Sequence, residues 1–140
     1  TSHSSVFETT HIISSKTLSQ YEDFPMPANY PDYPSHRQLA EYFQHYARHF
    51  KLYDHIQFNT LVEKCELTPE KKWAVTTSKD GIKKTELFEA LAVCNGHHWK
   101  PRYPEYQGDF TGKLMHSHDV KRFSDFTDKR VLVIGGGNSA

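Results

Sequence analysis

The last ten residues, Val131-Leu132-Val133-Ile134-Gly135-Gly136-Gly137-Asn138-Ser139-Ala140, constrain the fold most. Four apolar residues, three of them β-branched, read as a strand buried in a parallel sheet. Gly135, Gly137 and Ala140 then fall on the small-residue positions of G-x-G-x-x-G/A. In that pattern the first glycine permits a tight turn, the second lets backbone approach a pyrophosphate, and the third lets helix pack on strand. The phosphates rest on the N-terminus of the following helix, where free N–H groups and the helix dipole favour an anion. Asn138 and Ser139 stand where backbone or side chain can donate to a phosphate. An ordinary tight turn after a strand is the alternative. The second strand, and the residue that chooses between NAD and NADP, would follow Ala140. The chain therefore reads as a piece of a larger enzyme.

At 140 residues the chain can fill one ordinary domain. Nine Phe and eight Tyr supply an aromatic core, although the mean hydropathy of -0.73 is that of a polar protein. Lys+Arg and Asp+Glu both number 17, so the net charge is zero. A nucleic-acid binder needs a basic surplus, so a small-molecule ligand fits better. Cys65 and Cys94 are far apart and form no C-x-x-C, as in a reduced, cytoplasmic protein. No apolar run approaches the ~20 residues of a membrane span, and no signal peptide opens the chain. An anchor beyond Ala140 stays open.

Residues 6–34 show little periodicity and are punctuated by Pro25, Pro27, Pro31 and Pro34. Each proline fixes its own φ and pushes its predecessor extended. Phe24, Tyr30 and Tyr33 need burial, so this stretch reads as an ordered aromatic loop. A helix is predicted over 35–50. Ser35 and Gln38 have capping-box spacing, and Leu39, Tyr42, Phe43, Tyr46, Ala47 and Phe50 form one apolar face. A three-stranded antiparallel meander is predicted over 56–88, with Asp80-Gly81 as a hairpin turn. Ala90-Leu91-Ala92-Val93-Cys94 reads as a second buried strand that ends at Asn95-Gly96. Two buried strands ending in glycine-containing turns suggest two nucleotide-binding sheets.

Four segments together resemble the flavin-containing monooxygenases. Asp23-Phe24-Pro25-Met26-Pro27 is similar to the family's D-F-P-x-P. Val93-Cys94-Asn95-Gly96-His97-His98 is similar to its V-C-T-G-H-H. Phe110-Thr111-Gly112-Lys113-Leu114-Met115-His116 matches the F-x-G-x-x-x-H fingerprint. Gly135-x-Gly137-Asn138-Ser139-Ala140 resembles its second, NADP-binding glycine motif. The fingerprint followed by that glycine motif is the specific part. Two departures stand out. Position 120 is Val where the family usually carries an aromatic, with Phe123 nearby as a substitute. The stretch His11–Lys16 lacks the Asn that faces the flavin in related enzymes.

The resemblance implies an α/β flavoprotein with two Rossmann-like dinucleotide-binding domains, one for FAD and one for NADP, plus the β-meander. Residues 1–105 would form the back of the FAD-binding domain, 106–129 the linker carrying the fingerprint, and 130–140 the start of the NADPH-binding domain. FAD and NADPH would be the cofactors. NADPH would reduce FAD, and a flavin C4a-hydroperoxide would pass one oxygen to a soft nucleophile, an amine nitrogen or a sulfide sulfur. The protein's part would be to seat the nicotinamide on the flavin and to keep water away.

Implied cofactor-binding residues are Gly135, Gly137, Asn138, Ser139 and Ala140 at the NADPH motif, Asn95 and Gly96 near the flavin, and Val62 at the adenine through its backbone. Loop geometry and simple burial are the alternatives for the last three. Phe110, Gly112 and His116 form the fingerprint, and His116 is expected to orient the linker by hydrogen bonding rather than to transfer protons. No catalytic residue is assigned. His97-His98 and His116-x-His118 raise a metal site, but adjacent loop histidines bind one ion poorly and no cysteine pair supports them, so no metal is expected. A Baeyer–Villiger monooxygenase is the alternative, although Val120-Lys121 replaces its Trp-Pro. A disulfide reductase is disfavoured by the missing C-x-x-C. The isolated 140 residues are expected to be catalytically silent. Their apolar strand 131–134 would invite a strand swap or homo-oligomer.

Overall fold

The computed structural model describes residues 4–96 and 100–138. Two compact units divide the chain, one drawn from residues up to Tyr46 and from Gly96 onward, the other from Ala47–Asn95.

The first unit is built on a short helix α1 (Lys16–Ser19), the proline-punctuated loop, and α2 (His36–His49). The capping box forms as the spacing predicts. The Gln38 N–H donates to Ser35 Oγ at 3.4 Å, and the Ser35 N–H donates to Gln38 Oε1 at 2.9 Å. Two of the free donors at the helix start are thereby satisfied. The apolar face of α2 packs on the aromatic loop. Tyr42 is 1% exposed and forms the core with Met26 and Tyr30, flanked by Phe24 and Leu39.

A loop this close to a core must satisfy its own backbone. Lys16 Nζ donates to the carbonyls of Ala28 (2.9 Å) and Tyr30 (2.6 Å), and the Met26 N–H donates to Gln20 Oε1 at 3.0 Å. The Tyr30 hydroxyl donates to Glu41 Oε2 at 3.1 Å. Burial, helped by that carboxylate, raises the Tyr30 pKa above its ordinary value. Upstream, residues 10–12 pair with 34–36. The Ile12 N–H donates to Pro34 O at 3.1 Å and the His36 N–H to Thr10 O at 2.9 Å.

The second unit holds an antiparallel sheet, β1 (Leu61–Leu67), β2 (Trp73–Lys79) and β3 (Ile82–Phe88), in the order β1-β2-β3. The turn between β2 and β3 is Asp80-Gly81, with φ of +50° and +79°. Positive φ at both central residues is the type I′ signature that matches strand twist. The β1–β2 register shifts between Val62 and Lys64. One extra residue, Glu63, bulges there. Beyond the bulge, Cys65 faces Val75 and Leu67 faces Trp73, so these residues share a face with Phe88. Val75 is buried at its centre. The first strand is shorter than predicted: residues 56–60 carry no pairing, which starts only at Leu61.

Two expectations are corrected. Residues 90–94 and 131–134, read as buried parallel strands, carry no strand pairing. Val93 is 73% exposed and Leu132 81%. Apolar β-branched runs become buried strands only when neighbours pair with both edges and helices cover both faces. The sole sheet among the described residues is the antiparallel meander.

Candidate functional site

The fingerprint and the linker around it lie in the first unit. Phe110 is 71% exposed, and its ring folds back over Gly112. A Cβ on Gly112 would sit 2.7 Å from Phe110 Cε1 and closer still to Cζ, inside van der Waals contact. A side chain at 112 would therefore require the exposed Phe110 ring to move.

His116 ends the fingerprint and caps the 3₁₀ turn Ser117–Asp119. The His118 N–H donates to its Nδ1 at 3.0 Å. Tyr103 meets the His116 ring edge-on at 5.5 Å. Asp119 accepts from His118 Nδ1 at 2.9 Å and from the Tyr103 hydroxyl at 3.4 Å. The His118 hydrogen bond, above the other causes, holds the Asp119 carboxyl below its ordinary pKa.

Immediately downstream, Lys121 Nζ donates to His118 O at 2.9 Å and to Ser4 O. The Glu8 N–H donates to Lys121 O at 3.0 Å, the Phe123 N–H donates to Glu8 Oε1 at 2.9 Å, and the Phe7 and Phe123 rings meet edge-on at 5.6 Å. Phe123 thus packs on Phe7, while Val120 continues the turn by donating its N–H to Ser117 O at 3.2 Å. This brings residues 4–8 onto residues 118–123. Sequence reading missed Asp119, Tyr103, Lys121 and Glu8. Each is an ordinary polar residue, and only the fold places it against its partner.

At the glycine motif, Gly135 has φ of +143°, a conformation that favours glycine. Added Cβ atoms at Gly136 and Gly137 would meet nothing within 4 Å. The backbone from 135 to 137 is exposed, with room beside Gly136 and Gly137 for a bound group. Asn138 lies in an exposed turn. Ser139 and Ala140, and also His97 and His98, lie outside the described residues.

Gly96 is at φ +73°, at the start of the second stretch of the first unit. Asn95 and Val62 belong to the second unit, Asn95 exposed and Val62 at the bulge of β1, an edge strand. The structure brings Phe110 onto Gly112 and joins His116 to His118 and Tyr103. An open depression of about 730 Å³ lined by Arg102, Tyr103, Pro104 and Glu105 lies beside that cluster. No described helix is long and apolar enough to cross a membrane.

Comparison with known proteins places the chain in a family of flavin-binding proteins. The family model described as "Flavin-binding monooxygenase-like" matches residues 1–140, and the chain belongs to that family. The human putative dimethylaniline monooxygenase [N-oxide-forming] 6 is 40% identical over 96% of this chain, and mouse flavin-containing monooxygenase 5 is 38% identical over 96%. The solved structure of S-allyl-L-cysteine S-oxygenase from Allium sativum superposes with a TM-score of 0.81 at 26% identity, covering 89% of this chain. The chain spans 26–30% of the length of these proteins.

Proposed function

We propose that these residues serve an FAD- and NADPH-dependent monooxygenase that oxygenates soft nucleophiles, an amine nitrogen or a sulfide sulfur. The observation that carries this reading is the family match along residues 1–140, which includes both the fingerprint and the glycine motif. The names of two similar proteins, one N-oxide-forming and one an S-oxygenase, support the substrate class.

In this reading residues 1–105 complete the FAD-binding domain, 106–129 link, and 130–140 open the NADPH-binding domain of a two-Rossmann architecture. The flavin, reduced by NADPH, supplies the activation of O₂ and the transfer of one oxygen atom. This chain's part is binding and alignment. Gly135 turns the chain, and the open backbone through Gly137 takes the pyrophosphate, with Asn138, Ser139 and Ala140 completing the motif. Asn95 and Gly96 border the flavin, and Val62 offers backbone to the adenine. Phe110, Gly112 and His116 set the course of the linker, which aligns the two cofactors.

The test uses purified protein carrying these residues. It should show flavin absorbance and oxidise NADPH faster when dimethylaniline or a thioether is added. Mass spectrometry should find one atom from isotope-labelled O₂ in the product. Gly135→Val should raise the KM for NADPH about tenfold or more, since a β-branched residue is strained at that φ. Absence of bound flavin, or product oxygen drawn from water, would sink the proposal.

A further inference from the structure

The two histidines at 116 and 118 are set in opposite protonation patterns by their surroundings. His116 Nδ1 accepts the His118 N–H at 3.0 Å. A ring nitrogen accepts only when it carries no proton, so neutral His116 must hold its proton on Nε2. His118 Nδ1 lies 2.9 Å from Asp119 Oδ1, an acceptor-only carboxylate, and therefore donates. Its neutral ring then has a bare Nε2. That atom is buried and has no hydrogen-bond partner among the described residues.

Asp119 also accepts from Tyr103, whose ring meets the edge of His116. The chain of contacts closes on itself: His116 caps the turn, the turn carries His118 and Asp119, Asp119 holds Tyr103, and Tyr103 covers His116.

We propose that His116 is a positioning residue whose unprotonated Nδ1 caps the turn Ser117–Asp119 and so aims Asp119 at Tyr103. The fingerprint histidine would then lock the stretch around 103, just before the linker, to residues 116–121 within it. This cap is set by hydrogen bonds within the chain and does not depend on the reaction proposed above. The groups that face His116 are Tyr103 from the preceding stretch and His118 and Asp119 from its own turn, with Lys121 bonded to the far carbonyl of that turn. A proton on Nδ1 would set N–H against N–H and open the cap.

Two measurements test this. Long-range proton–nitrogen NMR on protein labelled at histidine reads the tautomer directly. The signal that vanishes in His116→Asn should show a bare Nδ1 and a protonated Nε2. A protonated Nδ1 in the neutral ring overturns the proposal.

Substitutions give the second measurement. His116→Asn places an amide oxygen where Nδ1 stands, and Asn is a strong capping residue. Its unfolding equilibrium constant should stay within about twofold of the parent. His116→Gln puts its amide one bond further out, and His116→Leu has no acceptor. Both should shift that constant about fivefold and move the Tyr103 ring signals. A merely space-filling role would make Leu the best replacement. Rescue by Gln or Leu, or failure of Asn to rescue, refutes the cap.

Discussion

The Tyr42 hydroxyl donates to the carbonyl of Phe24 at 2.6 Å and accepts the N–H of Tyr21 at 2.8 Å. One side chain of α2 thus fastens both ends of a four-residue link in the aromatic loop. Tyr42→Phe keeps the ring but strands a donor and an acceptor, both partly buried. The loss should be about 1–3 kcal/mol by urea unfolding. A loss near zero would mean that water replaces the phenol at both groups.

Ser35→Ala should remove the acceptor of the Gln38 N–H and cost about 1 kcal/mol, while Ser35→Asp should restore most of it. Thermal unfolding followed by circular dichroism checks the order, parent, then Asp, then Ala. Equal midpoints for all three would show that α2 is held by packing on Tyr42 alone.

Gly112→Ala drives a methyl group into the Phe110 ring. Because that ring is exposed, it can swing aside, so the cost should be modest, about 1 kcal/mol or less. Phe110→Ala should remove the clash. The two substitutions should therefore couple by about 0.5 kcal/mol or more in a double-mutant cycle. Strict additivity would mean that the glycine serves something other than the ring.

Asp119 has a folded pKa below its ordinary value, chiefly through the His118 hydrogen bond. For a lowered carboxyl, the stabilisation is full above the unfolded pKa, about 3.9, and is lost as pH falls through the folded value. The parent should therefore lose stability as pH drops below about 4, and Asp119→Asn should lose less over that window. Parallel acid titrations of stability decide it. Identical slopes would show that the His118–Asp119 pair contributes nothing to folding.

Local chemistry made much of the fold legible. The capping pair Ser35 and Gln38 and the 3.6-residue spacing of Leu39, Tyr42 and Tyr46 need no distant partner, and α2 forms over His36–His49. Asp80-Gly81 selects a type I′ turn by its own backbone preference, so β2 and β3 pair in register around it. The runs at 90–94 and 131–134 failed for the opposite reason. Apolar content marks a capacity for burial, but a parallel strand exists only through its neighbours, and no described residue pairs with either run.

The site divides the same way. Gly135 and Gly137 could be singled out from spacing, because small residues at fixed intervals reflect backbone requirements carried in the chain itself, whereas Phe110, Gly112 and His116 stood out only through resemblance to a family fingerprint. The resemblance pointed to hydrogen bonding by His116, and only the folded chain supplied its partners. Its proton sits on Nε2 because a backbone N–H two residues away occupies Nδ1, and its turn matters because Asp119 finds Tyr103 sixteen residues back. Likewise Glu8 and Lys121 meet across more than a hundred residues. Hydrogen bonds between residues distant in sequence have no periodicity to betray them, so they become visible only when the chain is folded.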